Sequence, residues 1–190
     1  MSRFKALWVA SPRKVLAGFV GVLAATGIAV GSGANFNSST ANPSNTFSAG
    51  TISHSNNKNG SAILTASNMK PGDTANGTVD ITNTGSISGA FTLSQSNLTN
   101  TPASPALSSK LTIVITDKHD PACSSSCPAD TQVYSGTIGG MGTVSLGTFA
   151  ASEKHRYQFV VTFPDGGGNG ADNSYQGAQT SVEYDFTATA

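Results

Sequence analysis

Residues 155–163 read HRYQFVVTF. Tyr157, Phe159, Val161 and Phe163 recur at every second position. Successive side chains of a strand point to opposite faces, so this stretch predicts a β-strand with one apolar face on a core. The same alternation runs through Val182, Tyr184 and Phe186, through Val79 and Ile81, and through Leu111, Ile113 and Ile115. Strands are expected at 47–53, 61–66, 77–82, 89–96, 110–117, 131–135, 143–149, 155–163 and 180–187. Turn-forming residues crowd the intervals, which favours antiparallel pairing. No window beyond the N-terminal apolar run offers apolar residues at helical spacing over three turns. The fold class expected is all-β, an antiparallel β-sandwich of jelly-roll type with about nine short strands.

Residues 68–89, NMKPGDTANGTVDITNTGSISG, show how such strands are joined. Pro71 presets φ for the first central position of a turn, and Gly72 takes the positive φ that a type II turn needs next. Asp73 is placed to accept a bond from a nearby backbone N–H. Residues 78–82 then alternate, and Asn83-Thr84-Gly85 supplies the next bend. Asp73 and Asp80 therefore read as a turn residue and a polar-face residue of a scaffold, with no catalytic role.

The formal net charge of zero hides an asymmetry. Arg3, Lys5, Arg13 and Lys14 are four of the ten basic residues. Residues 15–30, VLAGFVGVLAATGIAV, are uncharged, and Ser32-Gly33-Ala34 follows with small residues at the positions a signal peptidase reads. This pattern predicts a secretory signal peptide over 1–34, cut between Ala34 and Asn35. The apolar run is short for a spanning helix, which wants about 20 residues. After cleavage six basic residues face ten acidic ones, a net charge of −4. That balance argues against nucleic acid, which needs clustered Lys and Arg, and against anionic membrane surfaces. The expected organisation is a signal peptide over 1–34, a flexible N-terminal segment over 35–46 and one β-sandwich domain over 47–190. No second apolar run or sorting signal follows, so the expected product is released.

Four stretches carry a family resemblance. They are ANFNSSTANPSNTFSAGTISHS (34–55), ILTASNMKPGDTANGTVDITNTGSISGAFTLSQSNL (63–98), VYSGTIGGMGTVSLGTFAASEKHRYQFVVTFPDG (133–166) and NSYQGAQTSVEYDFTATA (173–190). In this order and spacing, behind a signal-peptide-like start, the chain resembles the TasA/camelysin family of secreted bacterial proteins. A dedicated signal peptidase cuts the export signals of that family. The resemblance implies a jelly-roll domain and a protein that forms, or is related to those forming, extracellular fibres of a biofilm matrix. It also implies that the N-terminal segment of one subunit can fill a strand position in its neighbour. The family name camelysin carries a metallopeptidase description as well.

The residues give hydrolysis little support. A zinc protease commonly uses two histidines one helical turn apart with a glutamate between them. His54, His119 and His155 are the three histidines, and they form no such motif. Glu153 and His155 share one face at the start of a strand and read as a solvated strand entrance. His119, Asp120, Cys123 and Cys127, within KHDPACSSSCPAD (118–130), have the residue types of a metal box. In an exported chain cysteines pair, so a disulfide between Cys123 and Cys127 is favoured, with free thiols or a metal as the alternatives. Closing so small a ring stabilises by about 2 kcal/mol. The loop PDGGGNGADN (164–173) fails the EF-hand template, with Gly167 at the third position and no glutamate at the twelfth. No G-x-S-x-G elbow is present. The expectation is no catalytic residue, no metal, no cofactor and no enzymatic activity.

Assembly is the better-supported role. Residues 15–57 carry no charge, residues 74–109 carry only Asp80, and the strand at 89–96 has no charged gatekeeper. Edge strands without charge or proline invite pairing with another chain. An extended, neutral lead is suited to adding a strand to another copy. Asn35, Phe36, Phe47 and Ile52 are the candidate donor residues, although Phe47 and Ile52 differ in parity along a regular strand. The expected partners are copies of this chain or related fibre subunits, and the signal peptidase during export. The expected location is the extracellular matrix or cell surface, with no membrane contact after cleavage. The alternatives are a secreted camelysin-like metallopeptidase, and a monomeric adhesin or accessory subunit that anchors fibres.

Overall fold

A computed structural model describes residues 46, 48–168 and 170–190. Ala34, Asn35, Phe36 and Phe47, and with them the expected cleavage point and most of the candidate donor segment, lie outside the described residues. Among the described residues there are eight strands: β1 (His54–Asn56), β2 (Thr74–Asn83), β3 (Gly89–Thr101), β4 (Thr112–Asp117), β5 (Thr131–Thr137), β6 (Val144–Phe149), β7 (Lys154–Thr162) and β8 (Gln179–Thr189). One helical turn, α1 (Leu107–Lys110), precedes β4. The strands form two sheets, in the orders β1-β2-β7-β4-β5 and β6-β3-β8, and every pairing is antiparallel. The chain is an all-β sandwich.

β7 lies between β2 and β4, and its alternation sets the core. Tyr157, Phe159 and Val161 point inward, and across the ladders stand Val79 and Ile81 of β2 and Ile113 and Ile115 of β4. Phe91 and Leu93 of β3, Leu146 and Phe149 of β6 and Phe186 of β8 close the core from the other sheet. Phe91 and Phe149 stack with ring centroids 4.1 Å apart.

The turn at Pro71 and Gly72 forms as its residues demand. Gly72 has φ +93°, Asp73 N–H donates to the Lys70 carbonyl, and the Asp73 carboxylate accepts the Lys70 N–H at 3.0 Å. Two expected strands do not form. Residues 61–66 cross β2 irregularly, and a Cβ on Gly77 would come within 2.2 Å of the Ile63 carbonyl oxygen. Glycine there lets the crossing chain approach, so Ile63 and Leu64 pack on the core without joining a ladder. Residues 48–53 form no regular strand, and the short β1 follows them. The uncharged stretch 89–96 belongs to the central strand of its sheet and needs no gatekeeper, because both its edges are paired.

Asn83, fully buried at the end of β2, is a polar joint. Its amide nitrogen faces the carbonyls of Ile87, Phe149 and Ala150 at 2.9–3.1 Å, and its side-chain oxygen accepts the Gly85 N–H. The β2–β3 turn and the end of β6 thus share one side chain. On the opposite face of β2, Asp80 sits across from Arg156 and accepts two bonds from its guanidinium, at 2.6 and 2.9 Å. The Lys154 ammonium lies 3.2 Å from the same carboxylate. The Arg156 hydrogen bond holds the Asp80 carboxyl below its ordinary pKa against the opposing effect of burial, and Lys154 adds to the lowering.

Two predictions follow from these joints. Asn83→Ala removes the side chain that bonds the Ile87 and Phe149 carbonyls and the Gly85 N–H, the last of which keeps the Ser53 carbonyl, and should cost about 2 kcal/mol in urea denaturation. A loss below about 0.5 kcal/mol would show that the joint does not hold the two turns. Asp80 has a depressed pKa in the fold, so its contribution is present above the unfolded carboxylate value and is lost as pH falls through the folded one. Asp80→Asn should therefore be less stable than the parent at neutral pH, and the gap should close in acid. Parallel melting curves across that range check it.

Candidate functional site

The inward stripes of β4 and β7 are apolar at mid-strand and polar at one shared end. On β4, Ile113 and Ile115 are followed by Asp117; on β7, His155 precedes Tyr157 and Phe159. Asp117 pairs in register with Tyr157, which brings His155 one inward step further along the same face. The chain leaving β4 stays beside β7 for two more backbone bonds, Lys118 N–H to the Arg156 carbonyl and Arg156 N–H to the His119 carbonyl. His119 then turns with φ +54°, a left-handed pose that histidine, like asparagine and aspartate, adopts more readily than most residues. Its own N–H donates to Asp117 Oδ1 at 2.7 Å.

Three side chains meet as a result. Asp117 Oδ2 lies 2.8 Å from His155 Nδ1 and 3.7 Å from His119 Nδ1. One ligand atom from each of Asp117, His119 and His155 falls within 4.8 Å of the others. His155 Nε2 faces Glu153 Oε1 at 3.1 Å, and Glu153 Oε2 accepts the Ala150 N–H. His119 Nε2 lies 2.7 Å from the Ala129 carbonyl oxygen. The His155 ring stacks on Phe149, centroids 4.1 Å apart.

The electrostatics follow from this setting. Burial pushes the His155 pKa down, but the hydrogen bonds and charges of Asp117 and Glu153 outweigh it, and the net shift is upward. The Tyr157 hydroxyl is buried without a hydrogen-bond partner; burial raises its pKa, and the charges of Asp117 and Glu153 raise it further.

The other sequence candidates fall elsewhere. The sulfurs of Cys123 and Cys127 lie at bonding distance, and Asp120 caps its own turn by accepting the Ala122 N–H, so neither joins His119 in a metal box. His54 lies edge-on to Phe91. In the glycine loop, Asp172 is bridged by Lys110 at 2.7 Å and accepts the Gly166 N–H, which places a cation where calcium would need free oxygens. Ile52 is half-buried on its own core, and a Cβ on Gly89 would come within 2.3 Å of it. Asp117 was not among the residues singled out from sequence. Its signal was parity: it continues the stripe of Leu111, Ile113 and Ile115, so it had to be buried and partnered.

Among the described residues no helix is long and apolar enough to cross a membrane. Residues 12–101 match the family described as camelysin metallo-endopeptidase. No curated protein matches the chain. The family's description implies a metal, and the donor set at the sandwich end fits one: two imidazoles and a carboxylate, two of the three with a further nitrogen already held by a neighbouring oxygen. The match spans the apolar N-terminal run, the Pro-Gly-Asp turn and strands β1 to β3, and it supports membership of the TasA/camelysin family.

Proposed function

We propose that this protein is a secreted, non-enzymatic subunit that forms or joins extracellular fibres of a biofilm matrix by strand complementation. One observation carries the reading. A jelly roll has eight strands in two sheets, and the first strand lies beside the last. Here β2-β7-β4-β5 is a complete four-strand block, whereas β6-β3-β8 stops at β8. Among the described residues nothing pairs with the outer edge of β8, and β1 sits on β2 instead. Among the described residues no strand fills the first-strand position of the smaller sheet.

The lead over 35–46 suits that position. Its length is close to that of the eleven-residue β8, and it carries no charge. Pro43 lacks the N–H that an internal strand would need, but a strand beside β8 is an edge strand, where proline is tolerated. Main-chain bonds to β8 supply the affinity, and Phe36 and Phe47 are the side chains that fill the neighbour's core. Ile52 packs on its own subunit, so the exchanged segment ends before it. Asn35 becomes the first donor residue once the signal peptide is removed. The partners are then sibling subunits or related ones, outside the cell.

The second reading is a metallopeptidase, and the cluster of Asp117, His119 and His155 is what favours it. Against it, Glu153 is no free base: one oxygen faces His155 and the other holds the Ala150 N–H. Hydrolysis predicts chelator-sensitive cleavage of an unfolded substrate by the purified chain, abolished by His155→Ala. The proposed function predicts none. A third role, an accessory or anchoring subunit, differs from a self-polymerising one in sedimenting as a monomer until a relative is added.

Deletion of residues 35–46 should leave a folded monomer that makes no fibres under negative-stain microscopy, while the chain processed to Asn35 does. Fibres of equal length and number from the deletion would overturn strand exchange by this segment.

A further inference from the structure

We propose that Asp117 Oδ2, His119 Nδ1 and His155 Nδ1 form a binding site for one divalent zinc-class ion, and that the ion clamps the β4–β5 connection to the start of β7. The proposal concerns structure and is independent of the fibre reading.

The case rests on where every polar atom of the three ligands goes. A carbonyl oxygen only accepts, so the 2.7 Å contact with Ala129 fixes the proton of His119 on Nε2. The lone pair of the neutral ring is then on Nδ1, which faces Asp117 Oδ2. Asp117 Oδ1 is occupied by the His119 N–H, which leaves Oδ2. His155 Nε2 is held by Glu153, which leaves Nδ1. Each ligand has one atom held from behind and one turned to a common point. Metal sites are built this way, with a carbonyl or carboxylate orienting each imidazole from its far side.

Size and chemistry agree. Zinc–ligand distances of about 2.0 Å put neighbouring ligand atoms roughly 3.3 Å apart. The separations of 2.8 and 3.7 Å bracket that value, so small side-chain shifts admit an ion in place of the proton that now bridges Asp117 and His155. Two imidazoles and one carboxylate select a zinc-class transition ion over calcium or magnesium, which prefer oxygen throughout. Competition is low, since residues 1–47 contain no histidine, cysteine, aspartate or glutamate. The cysteines lie at bonding distance and are withdrawn from the ligand pool.

The chain has only three histidines, which makes the test direct. The full chain is stripped with a chelator, titrated with zinc chloride, and followed by calorimetry and by the histidine ring signals in NMR. One equivalent of zinc should bind, moving the signals of His119 and His155 and leaving that of His54. His119→Ala, at a half-buried position in the β4–β5 connection, should weaken binding by more than about tenfold, and Glu153→Gln by about tenfold through loss of ring orientation. His54→Ala should bind like the parent. Zinc should raise the melting temperature of the parent. Absence of binding, a shift confined to His54, or undiminished binding by His119→Ala would overturn the site. Binding without any rise in melting temperature would overturn the clamp. The NMR result on the parent decides the ligands even if a variant fails to fold.

Discussion

The inward face of β7 is the constraint on which the molecule turns. β7 pairs along its whole length with β2 and along two-thirds of it with β4, so its register fixes both neighbours at once. A slip of one residue would carry Tyr157, Phe159 and Val161 to the solvent face and Arg156 and Gln158 into the core. Register is therefore strongly specified. It is also what places His155 under the stacked ring of Phe149 and beside Asp117. The polar cluster is a consequence of an apolar stripe running on for one residue more than the core can fill on each of two adjacent strands.

Much of the fold was legible because alternation is a local signal. HRYQFVVTF and SVEYDF each show their buried face within one strand, and the Pro-Gly-Asp turn shows its geometry in three residues. What was hidden depends on contacts distant in sequence. Residues 61–66 have the composition of a strand, but their backbone takes a path over Gly77 that only tertiary packing decides. The cluster was hidden for the same reason. Asp117 and His155 are 38 residues apart, and only the β4–β7 pairing joins them. The segment 118–130 advertised a metal box, and of its four members only His119 lies in the cluster. An aspartate in phase with three aliphatic residues was the stronger signal.

Among the described residues β8 ends its sheet, and its charges lie on one face. Glu183 and Asp185 lie on the outward-facing side of β8, bonded to Asn97 and Ser96 of β3. Charge on one face keeps a sheet surface soluble without blocking its hydrogen-bonding edge, whereas a proline or a bulge at mid-strand would block it. The inward residues Val182, Tyr184 and Ala188 are only half-buried, as expected where no described strand flanks β8. An added strand has apolar surface to cover there as well as backbone groups to pair. Tyr184 is the largest of these half-buried side chains, and its partial burial pushes its pKa up to about 12.

The ligand cluster and the strand vacancy are built from different parts of the chain. Every atom of the cluster comes from β4, β7 and the connections that flank them, within the five-stranded sheet's own turns. The vacancy belongs to the smaller sheet, and its proposed occupant contains no metal-ligating side chain. A bound ion would stiffen the receiving sandwich without touching the exchanged strand. The two properties are then thermodynamically separable: an ion that binds folded subunits raises their stability by mass action whether or not they polymerise. It changes polymerisation only to the extent that it binds free and assembled subunits unequally. Metal dependence of fibres alone would thus report on that difference in affinity, and it would leave the chemistry of the cluster to be read from the histidines themselves.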